Sequence, residues 1–132
     1  MSFLLDTDTC SAYLKGHRQV WQRFMQYGGR LHVSAVSVGE LWTWAARAAA
    51  SPKRRQVLDD FLSDLTVLDV TSQVAEKFGE VRAGLLDSGQ GTPDMDLLIA
   101  ATALIHGLTL VTHNTRDFEK VPGLIVEDWL VL

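Results

Sequence analysis

The sequence is poor in cysteine, in proline and in net positive charge, and each shortage narrows what the protein can be. A single cysteine, Cys10, excludes an internal disulfide and any multi-cysteine zinc centre, and it reads as a small, partly buried apolar residue. Three prolines in 132 residues leave no Pro-rich linker, and no repeat or low-complexity segment interrupts the chain. Twelve Lys and Arg against sixteen Asp and Glu give a net charge of −4, which argues against holding long nucleic acid by broad electrostatic attraction. Brief contact with a short segment stays open. Long hydrophobic runs are missing too: the opening MSFLLDTDT has no basic flank and only three consecutive apolar residues, so neither a signal peptide nor a membrane span is expected, and the cytoplasm is the expected compartment.

What is present is apolar substance, 47% of the residues, enough for one domain over residues 1–132 with a sizeable core. Phe3-Leu4-Leu5 reads as a buried strand followed at once by Asp6-Thr7-Asp8-Thr9. Helices are expected over Cys10 to Lys15 and Gln19 to Tyr27, the second with Val20, Trp21, Phe24 and Met25 on a core face. Leu31-His32-Val33 reads as a strand, with His32 a satisfied core or edge residue. A long helix then reaches the alanine run before Pro52. Further helices are expected over Gln56 to Leu65 and Ser72 to Leu86, with strands at Val67 to Val70 and Leu124 to Val126. Short apolar strands alternating with helices predict an α/β fold, a three-layer α/β/α domain around a mostly parallel central sheet.

Thr92 to Asp117 carries most of the chemistry. Thr92 and Pro93 read as cap and first residue of a helix that is apolar or small on every side from Leu97 to Ile105, so Asp96 is expected on the rim of a core. Asp94 and Asp96 in the first turn also suit simple interaction with the helix dipole. Gly107 ends the helix, Leu108 to Thr112 forms a strand, and His113 to Asp117 turns away. Glu40 has two readings. Ser37-x-x-Glu40 fits a capping box, whereas a helix starting at Ser34 leaves Glu40 free in its second turn. Asp6 or Asp8 can likewise be a helix cap. Trp42 and Trp44, two residues apart, are not expected to share one buried stripe, and Lys53-Arg54-Arg55 reads as a solvated helix start.

Asp6, Glu40, Asp96 and Asp117 each fall after a strand or near a helix start, so a parallel sheet can bring them to its carboxyl edge, where ligands bind in such folds. Four carboxylates with ordinary pKa values of about 4 resist sharing a site without a compensating cation, and hard ions such as Mg²⁺ or Mn²⁺ take oxygen ligands of this kind. Such a site can activate water against a phosphodiester.

These segments resemble the PIN-domain ribonucleases, and within them the VapC toxins of toxin–antitoxin systems. FLLDTDTCSAYL is similar to that family's first strand and acid, VSAVSVGEL to its Ser-rich turn and glutamate, and PDMDLLIAATAL with LTLVTHNTRDFEKVPGLIVEDW to its C-terminal half. The resemblance implies that Asp6, Glu40 and Asp96 are the core metal-binding acids and Asp94 an accessory one. Where many relatives carry a fourth acid, this chain has Asn114, so that role falls to Asn114, to Asp117 or to both, with Thr112 assisting. It further implies a Mg²⁺-dependent endoribonuclease in which Mn²⁺ substitutes, an RNA substrate, a homodimer, and a VapB-type antitoxin whose C-terminal tail blocks the acidic site. Two other readings remain. Asp6-Thr7-Asp8 is also like the start of haloacid-dehalogenase phosphatases, with the first aspartate as nucleophile and the second as general acid, and a PIN-like binding module that holds too little metal for catalysis would use Trp42 and Trp44 for a partner.

Overall fold

The computed structural model describes residues 1–131. Five strands pair in parallel in the order β3-β2-β1-β4-β5: β1 (Phe3–Leu5), β2 (Leu31–Ser34), β3 (Thr66–Leu68), β4 (Thr109–Val111) and β5 (Val126–Glu127). The first strand is central, flanked by β2 on one side and β4 on the other. The chain winds away from β1 in one direction through β2 and β3 and in the other through β4 and β5. The crevice between the carboxyl ends of β1 and β4 is therefore the topological switch point of the sheet.

Alternation along β1 divides the core. Phe3 and Leu5 point to one face, with Val33, Val111, Leu41 and Leu58. Leu4 points to the other, with Leu97, Ile99, Ala103 and Leu110. Helices α1 (Thr7–Leu14), α2 (Arg18–Gln26), α3 (Ala35–Ala46) and α4 (Lys53–Ser63) contribute to the first layer, while α5 (Ser72–Asp87), α6 (Asp94–His106) and the short α7 (Thr115–Phe118) contribute to the second. This is the three-layer arrangement expected from the strand and helix pattern. Among the described residues no helix is long and apolar enough to cross a membrane.

Several local expectations are corrected. The helix holding Glu40 starts at Ala35, with Ser34 as N-cap accepting from the Val36 N–H, and it stops at Ala46 rather than running through the alanines to Pro52. Of the four apolar residues expected on the core face of α2, Val20 and Phe24 are buried, but Trp21 and Met25 are exposed. Residues 20 and 24 form one i, i+4 stripe, and the stripe beside it faces outward. Trp42 and Trp44 are both half-buried, because Arg55 and Arg54 of α4 lie over their rings at 5.0 and 4.8 Å. The basic run is thus an aromatic cover and only partly a solvated helix start. Strand β3 sits one residue earlier than expected and is an exposed edge, and the last strand begins two residues later, at Val126.

The C-terminal segment closes the first core layer. Trp129 is buried, stacked on Tyr27 with centroids 5.7 Å apart and edge-on to Phe3 at 5.1 Å, and its indole N–H donates to Glu127. Truncating so large a buried side chain removes its transfer energy and leaves a cavity. Trp129→Ala is expected to lower the unfolding free energy by about 3–5 kcal/mol, while exposed Trp21→Ala costs less than about 1 kcal/mol. Urea denaturation of the two variants checks this, and equal losses would show that Trp129 does not close the core.

Candidate active site

Asp6 is fixed by the strand that precedes it. Its N–H donates to the Val111 carbonyl at 3.0 Å, which continues the β1–β4 pairing one step beyond the strands. Its carboxylate turns back as the N-cap of α1 and accepts from the Thr9 N–H at 2.8 Å. Both readings of Asp6 therefore hold at once: it caps a helix, and it stands at the carboxyl edge of the central strand. Thr9 adds a second tie across the switch point, its hydroxyl donating to the same Val111 carbonyl at 3.1 Å. Asp6 is almost fully enclosed, and this burial pushes its carboxyl up to about 6, against the opposing effect of hydrogen bonds from Thr112 and Thr9. Thr112 thus acts on Asp6 directly. Sequence reading had given it only an assisting part.

Glu40 lies in the second turn of α3, so the capping-box reading fails: the cap is Ser34, and Ser37 is the third helical residue. One Glu40 carboxylate oxygen accepts from the Thr7 hydroxyl at 2.6 Å, and Ser37 shares that hydroxyl at 3.0 Å. In the sequence Ser37 reads only as a capping-box residue and Thr7 only as part of the turn after the first strand; here both hold Glu40 in place.

Asp96 stands in the first turn of α6. That helix begins at Asp94 with Pro93 as its N-cap residue, one position later than expected, and the Thr92 hydroxyl is buried without a hydrogen-bond partner instead of capping. Burial pushes the Asp96 carboxyl up, and the charges of Glu40, Asp117 and Asp8 push it further. Those three acids come from α3, α7 and α1, so Asp96 is where carboxylates from separate elements meet. Asp8, which in the sequence reads as a possible cap or, in the phosphatase resemblance, as a general acid, is a further member. Its charge raises Asp6 as well as Asp96.

Asp117 sits in the first turn of α7, and the Asn114 side-chain amide donates to its carboxylate at 2.8 Å. Asn114 is itself held by its backbone N–H on the Thr112 hydroxyl at 3.0 Å. The two candidates for the fourth position are therefore one hydrogen-bonded unit, with the amide nitrogen turned toward Asp117 and the amide oxygen available. Asp94 points elsewhere, into an exposed ion pair with Arg82 at 3.0 Å.

The donor set suits a hard divalent cation. Every group is an oxygen, and the charges of Glu40, Asp117 and Asp8 raise the Asp96 carboxyl in a way that a bound cation would reverse. Among the described residues, however, no three Asp, Glu, His or Cys side chains already stand together as a ligand shell. Glu40 and Asp117 instead hold one oxygen each on Thr7 and Asn114.

The pH dependence of stability follows from Asp6. A carboxyl at about 6 when folded and near 3.8 otherwise binds more protons in the folded state, so without metal its ionisation removes stability as pH rises through that window. Asp6→Asn keeps an acceptor for the Thr9 N–H and has no charge to desolvate. In EDTA it is expected to be more stable than the parent at pH 7 by about 2 kcal/mol, with the difference vanishing near pH 4. Thermal denaturation across that range decides it, and a gap that persists unchanged at pH 4 would contradict the burial argument.

Residues 3–124 match the PIN domain family. The chain is 35% identical over 130 residues to the tRNA(fMet)-specific endonuclease VapC of Salmonella typhimurium, covering 98% of each protein. It is 35% identical over 131 residues to ribonuclease VapC2 of Haemophilus influenzae, covering 98% of this chain and 99% of that one. Among solved structures, the DNA-bound VapBC complex from Salmonella typhimurium superposes with a TM-score of 0.93 at 35% identity over 98% of both chains. No support remains for the phosphatase reading, since the PIN match spans nearly the whole chain with Asp6 and Asp96 inside it. With its sheet order, its acids at the switch point and these full-length likenesses, the chain belongs to the PIN-domain family as a VapC-type endoribonuclease.

Proposed function

We propose that this endoribonuclease cuts RNA at a divalent-metal centre held by Asp6, Glu40, Asp96 and Asp117, with Asn114 and Thr112 orienting ligands and Asp94 in the outer, accessory position. The observation that carries the reading is the convergence on Asp96 of charge from Glu40, Asp117 and Asp8, three acids on three different helices. Mg²⁺ is the expected ion, because an all-oxygen, carboxylate-rich donor set suits it, and Mn²⁺ is expected to replace it. When bound, the ion supplies charge for the pentavalent phosphorus species and a more acidic water. The chain's own residues do the rest. Thr7 holds Glu40 by one oxygen, Thr112 and Thr9 orient Asp6, and the Asn114 amide orients Asp117.

The cell-level reading follows from the family. The chain acts as the toxin of a module in which a VapB-type antitoxin covers the acidic edge, and it works as a homodimer in the cytoplasm, where its RNA substrate is found. The Salmonella relative is named for initiator tRNA, which makes that tRNA the first substrate to test. A binding module without catalysis is the competing reading, and it predicts no cleavage of any RNA at any metal concentration.

Glu40→Gln tests the centre. The amide keeps an oxygen for the Thr7 hydroxyl, so the fold and its stability are expected to change by less than about 1 kcal/mol, while cleavage of RNA and growth arrest on expression without antitoxin are lost. Retained cleavage by a well-folded Glu40→Gln protein would remove Glu40 from the centre. Asp117 and Asn114 are separated by their metal curves. Asp117→Asn removes a charge and is expected to weaken cleavage most at low Mg²⁺ and to recover as Mg²⁺ is raised, whereas Asn114→Asp keeps or improves metal binding. An Asp117→Asn enzyme whose rate depends on Mg²⁺ as the parent's does would assign Asp117 to capping α7.

A further inference from the structure

An acidic centre that works on a polyanion needs cations close by, and several basic side chains on this protein are already engaged. Arg82 is tied to Asp94, Lys77 to Glu80 and Lys120 to the Gly91 carbonyl, while Arg54 and Arg55 lie over tryptophans. Lys15 makes no such contact among the described residues, and it is exposed. It stands at the end of α1 on the same face as Asp8 and Ser11, since residues 8, 11 and 15 follow the helical i, i+3, i+7 spacing. Seven residues of helix rise by about 10 Å, so Lys15 lies within reach of a phosphate neighbouring one held at the acids.

Lys15 lines an open cavity of about 500 Å³ together with Asp8, Ser11, His17, His113 and Leu130. Asp8 is the shared wall, because its charge acts on both Asp6 and Asp96. Two imidazoles in this cavity are pre-oriented. His17 caps α2 with its Nδ1 accepting from the Val20 N–H at 3.4 Å, which puts the ring proton on Nε2 as a remaining donor. His113 holds Asp128 through Nδ1 at 2.9 Å, and Asp128 is itself fixed by the Leu130 N–H at 2.9 Å, so the His113 ring is anchored at one nitrogen while staying exposed. Neither histidine belongs to the acidic centre, and the sequence reading gave neither a role.

We propose that this cavity is the subsite for the RNA strand flanking the scissile phosphate, with Lys15 pairing the adjacent phosphate and His17 and His113 making hydrogen bonds to the sugar–phosphate backbone. The assignment rests on the ribonuclease reading and extends it by naming where the uncut part of the strand lies. Contacts of this kind position a strand without reading its bases. The low net positive charge of the chain is then sufficient, because one lysine, the His17 Nε2–H as a donor and the His113 Nε2 as an acceptor for a ribose hydroxyl act beside a metal-bearing site.

The test is fluorescence anisotropy of a labelled single-stranded RNA with the cleavage-deficient Glu40→Gln protein in Mg²⁺, measured over a range of salt, with Lys15→Ala and His113→Ala each added to it. Both added positions are exposed, so folding is preserved. Lys15→Ala is expected to weaken binding about tenfold and to make the slope of log K against log salt shallower by about 0.7. Lys15→Arg restores most of that loss and the slope. His113→Ala is expected to weaken binding severalfold with the slope unchanged, because its contact carries no counterion release. If the parent binds RNA and both alanine variants bind with its affinity and slope, the subsite is elsewhere while the ribonuclease reading stands. If the variants lose affinity for a VapB-type antitoxin and none for RNA, the cavity is a protein-docking site and the proposal is overturned. If the parent binds no RNA and the wild-type enzyme cleaves none, both readings fall together.

Discussion

Burial of carboxylates, with other acids close to them, is the constraint around which this structure is arranged. Asp6 is buried and Asp96 half-buried within the influence of other acids, and both are held at raised pKa. An isolated carboxylate removed from water in this way is costly, and proteins keep such groups only where surrounding structure holds them in place. Here the hold is supplied from the sheet. Strand β1 is central, its last backbone N–H continues into Asp6, and the Thr9 hydroxyl and the Asp6 N–H converge on one carbonyl of β4. The most buried acid is thereby anchored on the most buried strand. The acids whose charge acts on Asp96, on α1, α3 and α7, are carried by separate helices.

The neutral residues around the acids divide their labour in a consistent way. Thr7, Thr9, Thr112 and Asn114 each give a hydrogen bond to a carboxylate or to the backbone beside one, and they are short, polar and uncharged. A lysine or arginine in the same places would neutralise the acids permanently and leave no need for a cation. Hydroxyls and an amide orient the carboxylates and leave the charge uncompensated, which is the state a divalent ion requires. Three arginines are engaged elsewhere: Arg82 pairs with Asp94 on the outer side, and Arg54 and Arg55 cover the tryptophans of α3.

Much of this was legible in the chain. Continuous apolar triplets gave the strands, because a strand buried on both faces has no polar side to show, and Asp6, Asp96 and Asp117 were visible because each follows such a run or a helix start. Glu40 was legible only as a pair of alternatives. Ser34 and Ser37 are both competent caps, and the choice between them is made by β2, whose pairing with β3 runs to Ser34 and forces the helix to begin at the next residue. Trp21 and Trp129 were harder still. Helical periodicity says which residues share a stripe without saying which of two adjacent stripes finds a partner, and Trp129 lies in no element, so its burial depends wholly on the ring cluster of Phe3, Phe24 and Tyr27. Asp8 was not legible as a neighbour of Asp96 for a related reason. On α1 it is an ordinary exposed first-turn acid, and only the approach of α6 makes it part of a site.

The placement of β1 has a consequence for the life of the polypeptide during synthesis. The central strand is the first to be made, yet the partner that completes its second edge is β4, more than a hundred residues later, as the Thr9 to Val111 contact across a separation of 102 residues records. Contacts of such long range must wait for the intervening chain. Asp6 therefore has no Thr112 for its carboxylate and no Val111 carbonyl for its N–H while most of the protein is still being translated, and Asp96 and Asp117 also arrive in the last third. A centre that needs both Asp6 and Asp96 therefore cannot form until the last third of the chain has been made.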